Sequence, residues 1–250
     1  MNMPYVPEFT FMEGSPGLSP DDVAHVFIPG RGRNADATGI SPESEDRVVV
    51  GAEFYASRRA NPTTQRSLGN FVCAGYKSPA DSNGEPWRHP VDHYNGPTFT
   101  GKPEAFGMND VLDQINPSLL EDFGYGVPVG RRRLEPFSID TVTNFAQAEA
   151  LRLFGDNEDP VIIAAQAGHL ERILKHVAPK ILRRPYLGLV VPVAPGSEDT
   201  DSWSARAFSR VVTIGVDARR QSADYVLHRT TRQVGAVWGM KLQAQRLIPR

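Results

Sequence analysis

One cysteine in 250 residues, Cys73, excludes an internal disulfide and any zinc site built from cysteines alone. Net charge is also scarce. The 27 basic and 29 acidic residues leave a formal charge of -2, so there is no global electrostatic footprint for nucleic acid or an anionic membrane surface. Lysine is rare beside arginine, a bias that reads as genome composition rather than physics. No apolar run approaches the ~20 residues that a bilayer span needs. The first residues, Met1 to Phe11, lack the basic and apolar regions of a secretory signal. These absences predict a soluble, cytoplasmic chain.

The hydrophobic content of 40% suffices for a sizeable core, and the length is near the upper end for one domain. The 22 glycines and 21 prolines predict long loops. Residues 1–22, with four prolines and no periodicity, read as an extended arm. Apolar runs over 24–28, 70–74, 161–165 and 187–193 suit buried parallel strands, and Arg133 to Glu135 reads as a weaker one. Between them, helical spacing covers 42–59, 103–115, 140–154, 168–182 and 222–247. Residues 211–216 read as a last strand or edge hairpin. Such alternation implies right-handed βαβ units in a three-layer, Rossmann-like α/β/α domain.

In a parallel sheet, ligands bind beyond the carboxyl ends of the strands. Sorting the polar residues by that rule gathers a candidate pocket. Gly30, Arg31 and Gly32 follow the first strand and could offer amides or charge to an anion, or could simply make a turn. Gly75 follows the second. Glu135, Ser138, Asp140, Thr141 and Asn144 follow the third; a helix cap explains Ser138 or Asp140 but not Asn144. His169 and Arg172 share one face of the helix after the fourth. Their bland alternative is a surface salt bridge with Glu171. The Arg131-Arg132-Arg133 run could bind phosphate, though a solvated loop end is the simpler reading. His89 and His93 are four apart, but Pro90 argues against a helix there, so no metal is expected. The stretch 76–102 is too long for an ordinary connection and holds Trp87, His89, His93 and Tyr94. It is expected to be either a lid over the pocket or a solvated insertion.

The order of these motifs resembles the YdcF/SanA/ElyC family. That family shows a strand with a glycine loop, an arginine-bearing helix, a strand ending Ser-Gly-Gly and a Glu-Ala-x-x-Met helix. A Glu-x-x-Ser-x-Asn-Thr-x-Glu-Asn block and a His-Met-x-Arg-Ala block follow. Here they stand as Ile28 to Gly32, Arg47 with Phe54 and Tyr55, Cys73 to Gly75, and Glu104 to Met108. The last two are Glu135 to Asn144 and His169 to Ile173. The match spans roughly residues 22–194. Asp140 replaces the family's Asn and Thr143 its Glu, and Ala74-Gly75-Tyr76 replaces Ser-Gly-Gly. Residues 195–250 look like an addition. The resemblance implies the Rossmann-like fold with a polar pocket, and a nucleotide-like or phosphorylated ligand; S-adenosylmethionine is one compatible cofactor.

Three readings follow as expectations. In the first, an enzyme hydrolyses a nucleotide-like or phosphosugar ligand or transfers a group from it. Gly30, Arg31, Gly32 and Arg172 then bind the anion, and Gly75 and Asp140 also line the substrate. Glu104 and Glu135 are candidate bases, His169 the acid or proton shuttle, and Ser138, Thr141 and Asn144 orient substrate. In the second, the same site only binds or senses a small molecule. A third reading has the basic C-terminal helix dock a partner.

Overall fold

The computed structural model describes residues 7–61, 63, 68–78, 81–89, 98–193 and 202–247. The fold is α/β. Six strands form one sheet: β1 (Thr10–Met12), β2 (His25–Pro29), β3 (Phe71–Ala74), β6 (Arg132–Glu135), β7 (Val161–Gln166) and β8 (Tyr186–Val191). Their order is β1-β8-β7-β2-β3-β6, parallel throughout except for β1. The remaining strands, β4 (Pro86–Trp87) and β5 (Phe99–Thr100), make a separate small hairpin.

Side chains alternate across β2. Ile28 points to the face covered by α1 (Pro42–Ala60) and α2 (Glu104–Phe123), among Val48, Phe71, Cys73 and Met108. Phe27 points to the other face, among Val72, Phe145, Ile163 and Leu170. There the helices are α3 (Thr141–Ala150), α4 (Ala167–Arg172), α5 (Ala178–Ile181) and α7 (Ala223–Leu247). Each fully buried side chain of this size contributes roughly 1.5–3 kcal/mol. Both faces are therefore apolar, which is why the strands read as continuous hydrophobic runs.

Four elements differ from the sequence reading. The arm contains β1, which pairs antiparallel with β8 (Phe11 opposite Leu189) and covers an otherwise open edge. Three residues are too few to show a period. Helix α2 runs through Pro117 to a left-handed Gly124 (φ 72°) rather than stopping at 115. Leu119 is buried, and the Asn116 amide clamps both backbone polar groups of Val127 at 2.9 and 3.1 Å. The helix over 168–182 is split by a π turn at Ile173–Val177, next to Pro179, which has no amide for the α pattern. Residues 211–216 are not a strand: the β-branched run ends α6 (Trp203–Val212), capped by Ser202 Oγ accepting from Ala205 N at 3.2 Å. In the arginine run, Arg132 is structural, pairing with Asp113 Oδ1 at 2.5 Å and the Val127 carbonyl at 3.1 Å.

Candidate functional site

The chain leaves β2 toward β3 and β6 on one side, then crosses back to β7 and β8 on the other. A cavity of about 710 Å³ opens at the carboxyl ends of the strands at this switch point. Gly30, Arg31, Gly32, Gly75, Glu104, Ser138, Asp140, Thr141, Asn144, His169 and Arg172 all line it. Glu135 is brought to the same region but sits one layer behind, fully buried.

The glycine loop does not offer its amides to a ligand. Arg31 N and Gly32 N both donate to Glu104 Oε1 at 2.6 Å, and Ser44 Oγ donates to the same oxygen at 2.5 Å. Gly30 N donates to the Ala74 carbonyl at 2.7 Å. The loop wraps the Glu104 carboxyl so closely that a Cβ on Gly30 would overlap it, and from the end of β3 a Cβ on Gly75, whose φ is +148°, would lie 2.7 Å from Oε2. Glu104 thus buttresses the loop, and the Arg31 and Gly32 amides are already engaged by its carboxyl. Burial pushes the Glu104 carboxyl up, against the pull of its donors and of Arg47.

Arg47 is the residue that strand-end sorting missed. It is fully buried, inside α1. Its Nε donates to Gln166 Oε1 at 2.7 Å, Nη1 to the Pro29 carbonyl at 2.6 Å, and Nη2 to His169 Nδ1 at 2.7 Å. It thus ties the ends of β2 and β7 to α4. Burial and the charges of Arg31 and Arg172 lower its pKa to about 9, while Glu104 opposes them. A guanidinium can only donate. His169 Nδ1 therefore carries a lone pair, and the neutral ring keeps its hydrogen on Nε2, 3.0 Å from Thr141 Oγ1. Burial first, then Arg47, Arg172 and Arg31, hold His169 well below the usual histidine range. With Nδ1 accepting from Arg47, His169 is arranged to donate from Nε2 to Thr141 Oγ1.

Glu135 accepts from Phe137 N at 2.7 Å, from Ser138 N at 3.0 Å and from the Ser138 hydroxyl. Because Ser138 spends its hydrogen on Glu135, Asn144 must turn its amide nitrogen toward Ser138 Oγ. In that orientation it also donates to the Asp140 carbonyl at 3.1 Å and accepts from Gly30 N at 3.3 Å. This is the work of Asn144 that capping left unexplained. Burial pushes the Glu135 carboxyl up to about 7, opposed by its three hydrogen bonds. Fully enclosed, it reaches the cavity only through Ser138. Asp140 is chiefly the cap of α3, accepting from Val142 N at 2.7 Å, Thr143 N at 3.2 Å and Thr143 Oγ1 at 2.8 Å. Thr143, where the resembling family has Glu, completes a capping box with Asp140.

Arg172 lines the cavity and donates to Ser209 Oγ of α6 at 2.8 Å. Glu171 pairs elsewhere, with Lys175 at 2.6 Å and Arg206 at 3.5 Å. The C-terminal segment adds apolar lining: Trp203, Phe208 and Val211 of α6, with Val237 and Trp238 of α7. Sequence reasoning missed this lining. Trp203, Ala207 and Val211, with Phe208 and Val212 beside them, repeat at helical spacing, a signal lost when 211–216 is read as a strand. Among the described residues of the insertion, Lys77 and Ser78 at its root line the cavity. Its described part is held away by Arg33, which donates to Asp81 Oδ2 at 2.8 Å, the Thr100 carbonyl at 2.7 Å and the Asn83 carbonyl at 3.0 Å. Trp87 and Phe99 pack with Phe106 instead. His93 and Tyr94, named for the lid and the histidine pair, lie outside the described residues.

No family model, no curated protein and no solved structure matches this chain. No helix among the described residues is long and apolar enough to cross a membrane.

Proposed function

We propose that the protein is a cytoplasmic enzyme that binds a nucleotide-like or phosphorylated small molecule in this cavity and hydrolyses it or transfers a group from it. The observation that carries this reading is the lining of one cavity by both cations and aromatics: Arg31, Lys77 and Arg172 with Trp203, Phe208 and Trp238. Cationic side chains suit a phosphoryl oxygen, and the aromatic wall suits a base or another flat ring. The motif order shared with YdcF/SanA/ElyC-like proteins adds to the same reading. In the reaction, Ser138 takes a proton from the attacking hydroxyl or water as its own hydrogen passes to Glu135 Oε2. Glu135, poised near neutrality, suits that role. Native mass spectrometry of freshly purified protein tests for a co-purified ligand, and a thermal-shift screen of nucleotides and sugar phosphates follows. Against the compound found, Glu135→Gln is expected to lower turnover about 100-fold or more while leaving affinity nearly unchanged. Equal turnover removes Glu135 from the chemistry.

A second reading, a binding or sensing module, is favoured by one observation. Both carboxylates that face the cavity, Glu104 and Asp140, are engaged in internal hydrogen bonds. Ligand recovered unchanged after long incubation at full occupancy supports it.

A further inference from the structure

The hydrogen bonds around Arg47 have a direction. The guanidinium donates to His169 Nδ1 at 2.7 Å, so the ring must donate from Nε2 to Thr141 Oγ1 at 3.0 Å. Thr141 therefore receives, and its own hydrogen is left over. Among the described residues the hydroxyl has no hydrogen bond besides the one to His169. Thr141 is half-buried on the cavity wall, one residue after the Asp140 cap and near Arg172 and Arg31.

We propose that Arg47 and His169 are positioning residues that aim the Thr141 hydroxyl, hydrogen first, into the cavity, making this corner a subsite for an acceptor-only oxygen such as a phosphoryl or carboxylate oxygen. This rests on the reading of the cavity as an anion site and names which end of it holds the anion. The cations of the wall act at range; Thr141 supplies the directed bond. A ligand that presents an ammonium or amide hydrogen here would meet a hydroxyl already oriented as a donor, beside Arg172. It would be rejected both by direction and by charge. Arg47 is held in place because Nε donates to Gln166 and Nη1 to the Pro29 and Gly30 carbonyls, so the chain starts from a fixed point.

The test uses the full chain with ¹⁵N-labelled histidine, and inorganic phosphate as the probe. The two ring nitrogens of His169, assigned by loss of the signal in His169→Gln, are expected to show hydrogen on Nε2 alone at pH 7. Phosphate is expected to bind wild type and Thr141→Ser alike, and Thr141→Val about tenfold more weakly. A His169 carrying hydrogen on Nδ1, or on both nitrogens, overturns the proposal. So does Thr141→Val binding phosphate as wild type does, an outcome that leaves the anion reading intact. If wild type ignores phosphate at millimolar concentration, the anion reading itself fails and takes this subsite with it.

Discussion

The insertion over 76–102 and the C-terminal helices α6 and α7 both lie outside the repeating strand–helix pattern, and they end up in different roles. The insertion leaves the carboxyl end of β3, where a lid would start, yet its described part packs on Phe106 of α2 and is pinned by Arg33. The C-terminal helices follow β8 and turn back over α3 and α4, so their aromatic residues close the cavity. Leaving the sheet beside the site is thus not enough to cover it. What decides is the helix pair on which the segment can bury its apolar residues. The α1–α2 layer offers Phe106 on its outer side, whereas the α3–α4 layer offers its surface beside the strand ends.

Variants can break or sharpen this contrast. The largest effect belongs to neither segment. Arg47→Met leaves the Pro29 carbonyl, Gln166 and His169 without their donor in a sealed environment, and is expected to cost ~3–5 kcal/mol in chemical denaturation. Next comes Glu135. Its folded pKa, about 7, lies above the ordinary carboxylate value, so the folded state favours the protonated form. That stability is fully present below about pH 4.5 and is lost as pH rises through 7, to a total of roughly 3 kcal/mol. Denaturation of Glu135→Gln across pH 5 to 8 should show that decline removed. Turnover should change in the other direction, rising through about pH 7 as Glu135 becomes able to accept a proton.

The contrast itself is read from paired tryptophans. Trp203 is 83% exposed, so Trp203→Ala should leave stability unchanged but weaken ligand binding by about tenfold. Trp87→Ala should do the opposite, lowering stability by ~1 kcal/mol without altering affinity. Equal effects on affinity would erase the distinction between the segments. The smallest effect is expected from Asp140→Ala, about 1 kcal/mol from the lost cap of α3, with little change in binding. A large loss of affinity there would return Asp140 to the ligand.

Much of the fold and site is written locally in the chain. Ala24 to Pro29 and Val161 to Gln166 are apolar on both faces because both faces are covered, and the glycines and polar residues after them mark the cavity end. What was hidden depends on three-dimensional pairing. Helical spacing puts Arg47 in the buried stripe beside Val48 and Gly51, but the sequence does not say that His169 and Gln166 await it 122 and 119 residues later. The Gly30–Gly32 loop has the composition of an anion cradle, and only the fold reveals that Glu104 fills it. The Val211-Val212-Thr213-Ile214 run favours a strand by composition, yet Val212 is buried and Phe208 packs on Trp238 of α7 when the segment is a helix. β-branched residues carry too small a helix penalty to outweigh that burial.

The central claim, that α6 and not the described part of the insertion closes the ligand site, is tested most directly by hydrogen–deuterium exchange. The full chain is measured free and with the compound that gives the largest thermal shift. Added protection is expected over 203–212 and in the helix starts that carry Thr141 and His169, with residues 81–89 unchanged. Protection of 81–89 while 203–212 exchanges as in the free protein would contradict the account.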